Sequence, residues 1–443
     1  MSDAIPLPPR PDLEQYRTLA KDFQHASKSS DPDAIRDWGA QWAETITRLQ
    51  GLEITPEVRR QIDRDTERIE RNWSKFNKTK GRAARCTPAD ARLFVARNHG
   101  FASWPKFARH LEALARANSP IWKFEAAVDA IVSGDRAALE KLLGGNPELV
   151  RERSTREHRS TLLHYVSANG VEDFRQKTPK NIVGITKLLL EAGADVNAES
   201  DVYGGRSTTL GLTATSCHPE AAGVQLPLMD LLIGHGAIID GEDSGSAVNG
   251  CQHNGRGEAA EFFASRGARL DLEGAAGVGR LDLIKSFFNE DDSLKPPATR
   301  KQMQDGFTWA CEFGRTSVVD LLLRRGMEVD ARLRDGGETG LHWAAYGGHA
   351  DTVKLLLEHG APVGVKEEAH GGTPLGWALY AWGNSPVRAE HRQHYQVVAL
   401  LARAGAELDP QWVEDDEDRR RAAEKMRADP RMLAALGGEM PAE

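Results

Sequence analysis

The sequence predicts an all-α protein in which an N-terminal helical domain precedes a solenoid of stacked helix pairs. The first observation behind this is an internal repeat. Phe307-Thr-Trp-Ala-Cys-Glu-Phe-Gly314 returns 34 residues later as Leu341-His-Trp-Ala-Ala-Tyr-Gly-Gly348, and again as Leu375-Gly-Trp-Ala-Leu-Tyr-Ala-Trp382, which departs only at its last position. The second is a Leu-rich segment ending in glycine after each copy: Val318-Val-Asp-Leu-Leu-Leu-Arg-Arg-Gly326, Val353-Lys-Leu-Leu-Leu-Glu-His-Gly360 and Val397-Val-Ala-Leu-Leu-Ala-Arg-Ala-Gly405. An inner helix with small residues packs closely on such an outer helix. Neither buries its apolar face alone, so neighbours must stack.

At the start of the chain, residues 1–12, with Pro6, Pro8, Pro9 and Pro11, are expected to form an extended, flexible lead. Residues 13–120 form the helical domain, with helices expected over 13–26, 33–49, 56–80, 88–98 and 104–117. Thr87-Pro-Ala-Asp90 is a helix start, with a capping Thr, Pro at the first helical position and an acid in the first turn. Residues 121–409 divide into about eight repeat units. Unit two is lengthened by residues 169–180, unit three by 201–209 and 218–225, and unit eight by a segment near Asn384 to His394; unit five lacks the glycine stop. Residues 410–443 are expected to form a polar capping helix and tail.

Thr339-Gly-Leu-His-Trp-Ala-Ala345, with Gly348-His-Ala-Asp and Leu355-Leu-Leu-Glu-His-Gly-Ala361 after it, resembles the ankyrin-repeat signature, and Thr161-Leu-Leu-His164 and Thr373-Pro-Leu375 match it in part. Residues 91–107 are similar to a helical leader attached to many bacterial ankyrin proteins. The resemblance implies an ankyrin-type solenoid in which inner helices and turn tips line a concave face, the usual surface for partners. It also implies that His164 and His342 bond backbone groups in the turns.

Composition narrows the function classes. Lys plus Arg number 57 against 65 Asp plus Glu, a formal charge of −8, so a wholesale nucleic-acid coat is not expected. The basic excess concentrates between Arg59 and Arg85 around Trp73 and Phe76, where Arg and acid residues at helical spacing suit a solvated, ion-paired face. Four Cys lie far apart, without a CxxC pair, which fits a reducing compartment. With no secretory-type start and no long apolar run, the chain is read as soluble and cytoplasmic, with no membrane partner. No phosphate-binding, dinucleotide or nucleophile-elbow motif is present, and no cofactor or metal is expected. Cys217, His218, Cys251 and His253, or His391 with His394, lack a diagnostic closed ligand set.

Aligning the units on their glycines places Asp129, Tyr165, Leu212, Gly250, Gly274, Trp309, Trp343 and Trp377 after the signature histidine; Tyr346 and Tyr380 stand one turn further on the same face. Gly250, Gly274 and Gly277 then make a hollow floor between Trp and Tyr165 walls, or else mark very close helix packing. The insertions are expected to bring Glu172, Asp173, Arg175, Tyr203, Arg206 and His218 to the rim. The primary expectation is a scaffold that holds a protein or peptide partner on the concave face, with Trp309, Trp343, Trp377, Tyr346 and Tyr380 as anchors. The alternative is a small-molecule binder or enzyme with His253 and Glu312 as acid–base groups in the cleft.

Overall fold

A computed structural model describes residues 4–29, 31–80, 86–241, 246–333, 336–384, 393–409, 412 and 417–441. It is all-α apart from one short hairpin, Glu199–Ser200 paired antiparallel with Ser207–Thr208. Contacts divide the chain into two compact units, Met1–Ile238 and Ile239–Glu443. That boundary falls between the third and fourth repeats. The sequence-derived boundary at residue 120 lies inside the first unit.

The first unit begins with α1 (Leu13–Ala26), α2 (Ala34–Leu49), α3 (Pro56–Lys80), α4 (Pro88–Asn98) and α5 (Trp104–Leu114). Their apolar stripes meet in an aromatic core. Phe23 is fully buried, stacks on Phe94 with centroids 4.4 Å apart, and meets Trp38 and Trp73 at 4.7 and 5.0 Å. Trp73 and Phe76, the aromatics of the basic segment, therefore face this core. Arg59, Arg60 and Arg71 on α3 pair with Glu44, Glu57 and Glu67. The start of α4 forms as its residues predict: Thr87 Oγ1 accepts from the Asp90 N–H at 3.2 Å, and Asp90 Oδ2 accepts from the Thr87 N–H at 2.9 Å.

The proline-rich lead departs from expectation, because Ala4 and Ile5 are each only 3% exposed. The Ile5 N–H donates to the Asn98 carbonyl at 2.7 Å, and the Ile5 carbonyl accepts from His99 Nδ1 at 2.8 Å. Two apolar residues among the prolines bury against the end of α4, and that anchors residues 4–12.

The repeats of this unit are α6 (Pro120–Ser133) with α7 (Arg136–Gly145), a 3-10 turn Leu162–Ser167 with α8 (Ile182–Glu191), and α9 (Thr209–Thr215) with α10 (Cys217–Ala221) and α11 (Gln225–Gly234). The unit-two insertion folds inward. Glu172 is 0% and Arg175 6% exposed, in an ion network with Glu125 and Arg156.

In the second unit the inner helices are α12 (Ala247–His253), α14 (Leu272–Gly277), α16 (Arg300–Glu312), α18 (Gly340–Gly347) and α20 (Pro374–Asn384). The outer ones are α13 (Gly257–Ser265), α15 (Leu281–Ser286), α17 (Thr316–Arg324), α19 (Ala350–Glu358) and α21 (His394–Arg403). Phe307, Leu341 and Leu375, at equivalent positions, are buried at 0, 0 and 1% exposure; each such side chain contributes about 2–3 kcal/mol of transfer free energy. Small residues set the spacing: a Cβ on Gly306 would stand 2.8 Å from the Ala276 Cβ, so only glycine lets α16 approach α14 this closely. The tail forms two helices, α22 (Glu417–Ala428) on α20 and α23 (Pro430–Leu436) on α21, so the cap repeats the inner–outer pairing. Residues 385–392 of the unit-eight insertion, His391 among them, lie outside the described residues.

Candidate functional site

The turns of the repeats are fixed by their signature residues. At the start of α18 both the N–H and the hydroxyl of Thr339 reach His342 Nδ1, at 3.1 and 2.9 Å, while Nε2 donates to the Gly372 carbonyl at 3.2 Å. The imidazole is therefore neutral. Burial lowers its pKa to about 4, outweighing the opposing effect of the bond to Gly372. Thr161 and His164 repeat the arrangement, with Nε2 on the Ser207 carbonyl at 3.2 Å. These histidines hold turns together.

With the turns fixed, the second unit encloses a pocket of ≈ 420 Å³ between its inner helices, the turn tips and the start of the cap. Its aromatic wall comes from Trp309, Trp343, Tyr346, Trp377, Tyr380 and Trp412. The rings form a ladder of edge-to-face contacts. Trp309 meets Trp343 at 6.3 Å, Trp343 meets Trp377 at 5.1 Å, and Tyr346 meets Trp377 at 5.9 Å. Trp309 is 1% exposed and belongs to the core, whereas Trp343, Tyr346, Trp377 and Tyr380 are half-buried.

The polar lining holds three acids, Glu312, Glu338 and Glu367, with Arg419, His253, His370 and Gln252. Glu367 closes its own turn, accepting from the N–H groups of Ala369 at 2.6 Å and of His370 and Gly372 at 2.9 Å. Burial raises its pKa, but the N–H groups of Gly372, His370 and Ala369 together hold it below its ordinary value. His253 and Glu312, the expected acid–base groups, both line the pocket. The carboxylate that His253 bonds is a different one: Nε2 meets Glu273 Oε1 at 2.8 Å, and Trp309 Nε1 donates to the same oxygen at 2.9 Å. Glu273, 6% exposed, ties the histidine to the first rung of the ladder. Sequence reasoning missed it, although it occupies the signature-histidine position of unit five. A buried acid at that position was the available signal.

The glycines of the expected floor behave differently from one another. A Cβ on Gly250 would meet no atom within 4 Å, so this position is open. On Gly277 it would stand 2.2 Å from Gln252 Nε2 and 2.9 Å from the Trp309 Cβ, and on Gly274 2.8 Å from Asn249 Oδ1. Gly274 and Gly277 therefore serve close packing.

The remaining expected residues lie in the first unit and do not line the pocket. Tyr165, expected as a wall, is 0% exposed, with its hydroxyl 3.5 Å from Glu172 Oε1. Glu172 and Arg175, expected at the rim, are buried instead. Arg175 donates to Glu125 Oε2 at 2.6 Å and to Asp129 Oδ1 at 2.7 Å, and Arg156 donates to Glu125 Oε1 at 2.7 Å. Such charges stay inside only when each has an opposite charge beside it, and Glu125 and Arg156 are the partners the sequence did not reveal. Burial pushes the Glu125 carboxyl up, but Arg156 and Arg175 overcome this and hold it at about 2. Asp173 keeps a largely exposed side chain 3.7 Å from Arg68. Tyr203 is 69% exposed on the hairpin turn, where its hydroxyl donates to Asn169 Oδ1 at 2.8 Å. Arg206 pairs with Glu199 across the hairpin at 3.4 Å, and His218 lies in α10.

Among the described residues no group of three or more His, Cys, Asp or Glu side chains is placed to hold a metal ion. Nor is any helix among them long and apolar enough to cross a membrane. Cys251 and Cys311 are buried thiols with raised pKa, about 12 for Cys251.

Comparison with known proteins bears on the part of the chain that contains most of the pocket. Residues 307–411 match the family model of ankyrin repeats, in three copies. Those ankyrin repeats supply Trp309, Glu312, Glu338, Trp343, Tyr346, Glu367, Trp377 and Tyr380. Ankyrin repeats are in general protein–protein interaction modules. No curated protein matches the chain.

Proposed function

We propose that the protein is a binding scaffold whose ankyrin repeats hold a partner protein on their concave face, by insertion of a partner side chain between Trp343, Tyr346, Trp377 and Tyr380. The observation that supports this most strongly is the pocket itself. It is ≈ 420 Å³ in volume and built from inner-helix and turn-tip residues, with four half-buried aromatic rings in its wall. Binding energy concentrates in central, well-packed aromatic sites of this kind. The Trp ladder also leaves the deepest ring, Trp309, in the core, so the outer rings are presented on a rigid base. The test is paired capture, with the full-length protein and its Trp343→Ala and Trp377→Ala variants used as parallel baits. A partner retained by the parent and lost from both variants supports the reading. One retained equally by all three contradicts it.

A further inference from the structure

Resting on that reading, we infer that the side chain the pocket receives is an arginine of the partner protein. Three features of the lining converge on a cation rich in N–H groups.

The first is charge. The lining holds three carboxylates, Glu312, Glu338 and Glu367, and one guanidinium, Arg419, whose Nη2 donates to the His370 carbonyl at 3.3 Å, beside the imidazoles of His253 and His370. Glu273, directly behind His253 and Trp309, adds a further acid. In a cleft with apolar walls this balance attracts positive charge and disfavours phosphates and carboxylates. The second is the wall. Indole and phenol faces attract a guanidinium or ammonium electrostatically, and a planar guanidinium also stacks on them.

The third is a pair of buried acceptors. Glu338 Oε2 is buried and accepts no hydrogen bond among the described residues. Gln252 is 0% exposed; its Nε2 donates to the Gly274 carbonyl at 3.2 Å, which fixes the amide and leaves Oε1 as a second buried acceptor with no donor. Buried acceptors without donors are costly, and a shift of either side chain towards the pocket lets a ligand that brings N–H groups remove the cost. An apolar side chain would leave both oxygens unmatched, and a fully methylated ammonium has no N–H to give. A lysine brings three donors on a single point charge, whereas the arginine fork presents five in a plane and can address a carboxylate and an amide together.

The test uses the full chain with ¹⁵N-labelled indoles, so that the pocket tryptophans report directly by NMR. The probes are acetyl-Gly-Arg-Gly-amide, its citrulline counterpart, which keeps the shape and loses the charge, and its lysine counterpart. The inference expects the Trp343 and Trp377 indole signals to move with the arginine peptide at millimolar concentration. Affinity should fall about tenfold or more for citrulline, consistent with a desolvated cation–π contact and a charge-assisted bond. Glu338→Gln should bring the arginine peptide towards the citrulline affinity and leave citrulline itself unchanged. The unperturbed indole dispersion of that variant verifies its fold, and Glu312→Gln gives a second, independent reduction. Citrulline binding as tightly as arginine, or lysine binding more tightly, overturns the inference while leaving side-chain docking intact. Absence of any indole shift with all three peptides also overturns it, and the paired capture then decides separately whether the docking reading stands.

Discussion

At the residue scale, the two neighbouring rungs of the aromatic ladder are expected to fail in different ways. Trp309 is 1% exposed and anchored through Glu273, so Trp309→Ala should cost about 3–5 kcal/mol of stability, measured by urea unfolding. Trp343 is half-buried in the pocket wall. Its replacement by Ala should leave the unfolding midpoint much closer to the parent and weaken the captured partner by about 2 kcal/mol or more. In the first unit the important residues are hidden ones. Glu125→Ala would leave Arg156 and Arg175 sharing Glu172 as their fully buried acid, and a loss of about 3–5 kcal/mol in the same experiment is expected. Charge and position along the chain gave Glu172 and Arg175 the look of surface insertion residues. What turned them inward is the pairing of Glu172 with Arg156, 16 residues away, and of Arg175 with Glu125, 50 residues away, and no local pattern encodes a pairing across such separations.

At the element scale, the phase of the inner helices was legible because small and aromatic residues recur at fixed offsets from the turn glycines. That phase placed Trp309, Trp343, Trp377, Tyr346 and Tyr380 on one pocket, together with His253 and Glu312. The turn tips were less legible. Glu338 and Glu367 belong to segments whose sequence shows only polar turn residues, and their approach to the inner helices results from stacking of one unit on the next. Two of the three floor glycines, Gly250 and Gly277, separate open space from close packing. Gly250→Ala, in the helix interior with nothing nearby, should raise stability by up to about 1 kcal/mol through helix propensity. Gly277→Ala, which drives a methyl against Gln252 and Trp309, should lower it by about 1–3 kcal/mol, as overpacking does. Parallel urea titrations of the two variants check both signs. Equal effects would contradict the close packing of α14 on α12 and α16.

At the scale of the whole molecule, acid should weaken the fold through its buried histidines. Burial lowers His99 to about 3, and His110, His164 and His342 to about 4, from an ordinary value of 6.5. Each is neutral when folded, while the unfolded chain takes up protons below pH 6.5, so their contribution to stability is complete above that pH and is lost as the pH falls towards 4. Glu125, held at about 2 against an ordinary 4.5, acts in the same direction at lower pH: its contribution is present above 4.5 and is lost as the pH falls towards 2. His99, His110, His164 and Glu125 all belong to the Met1–Ile238 unit. Hydrogen exchange between pH 6.5 and 4 should therefore show that unit opening before the pocket-bearing one.

The all-α repeat architecture was legible because its period is written in the chain, whereas the division at Ile238 and the inward folding of the insertion are products of packing. Entry of a partner into the aromatic pocket can be read by site-specific photo-crosslinking. A photoreactive residue at Tyr346, in the pocket wall, is compared with one at Lys354, whose exposed side chain lies on the outer helix α19. Docking in the pocket should give a discrete polypeptide adduct from position 346, abolished by Trp343→Ala and absent from position 354. An adduct formed equally from both positions, or one that survives the loss of Trp343, would contradict it.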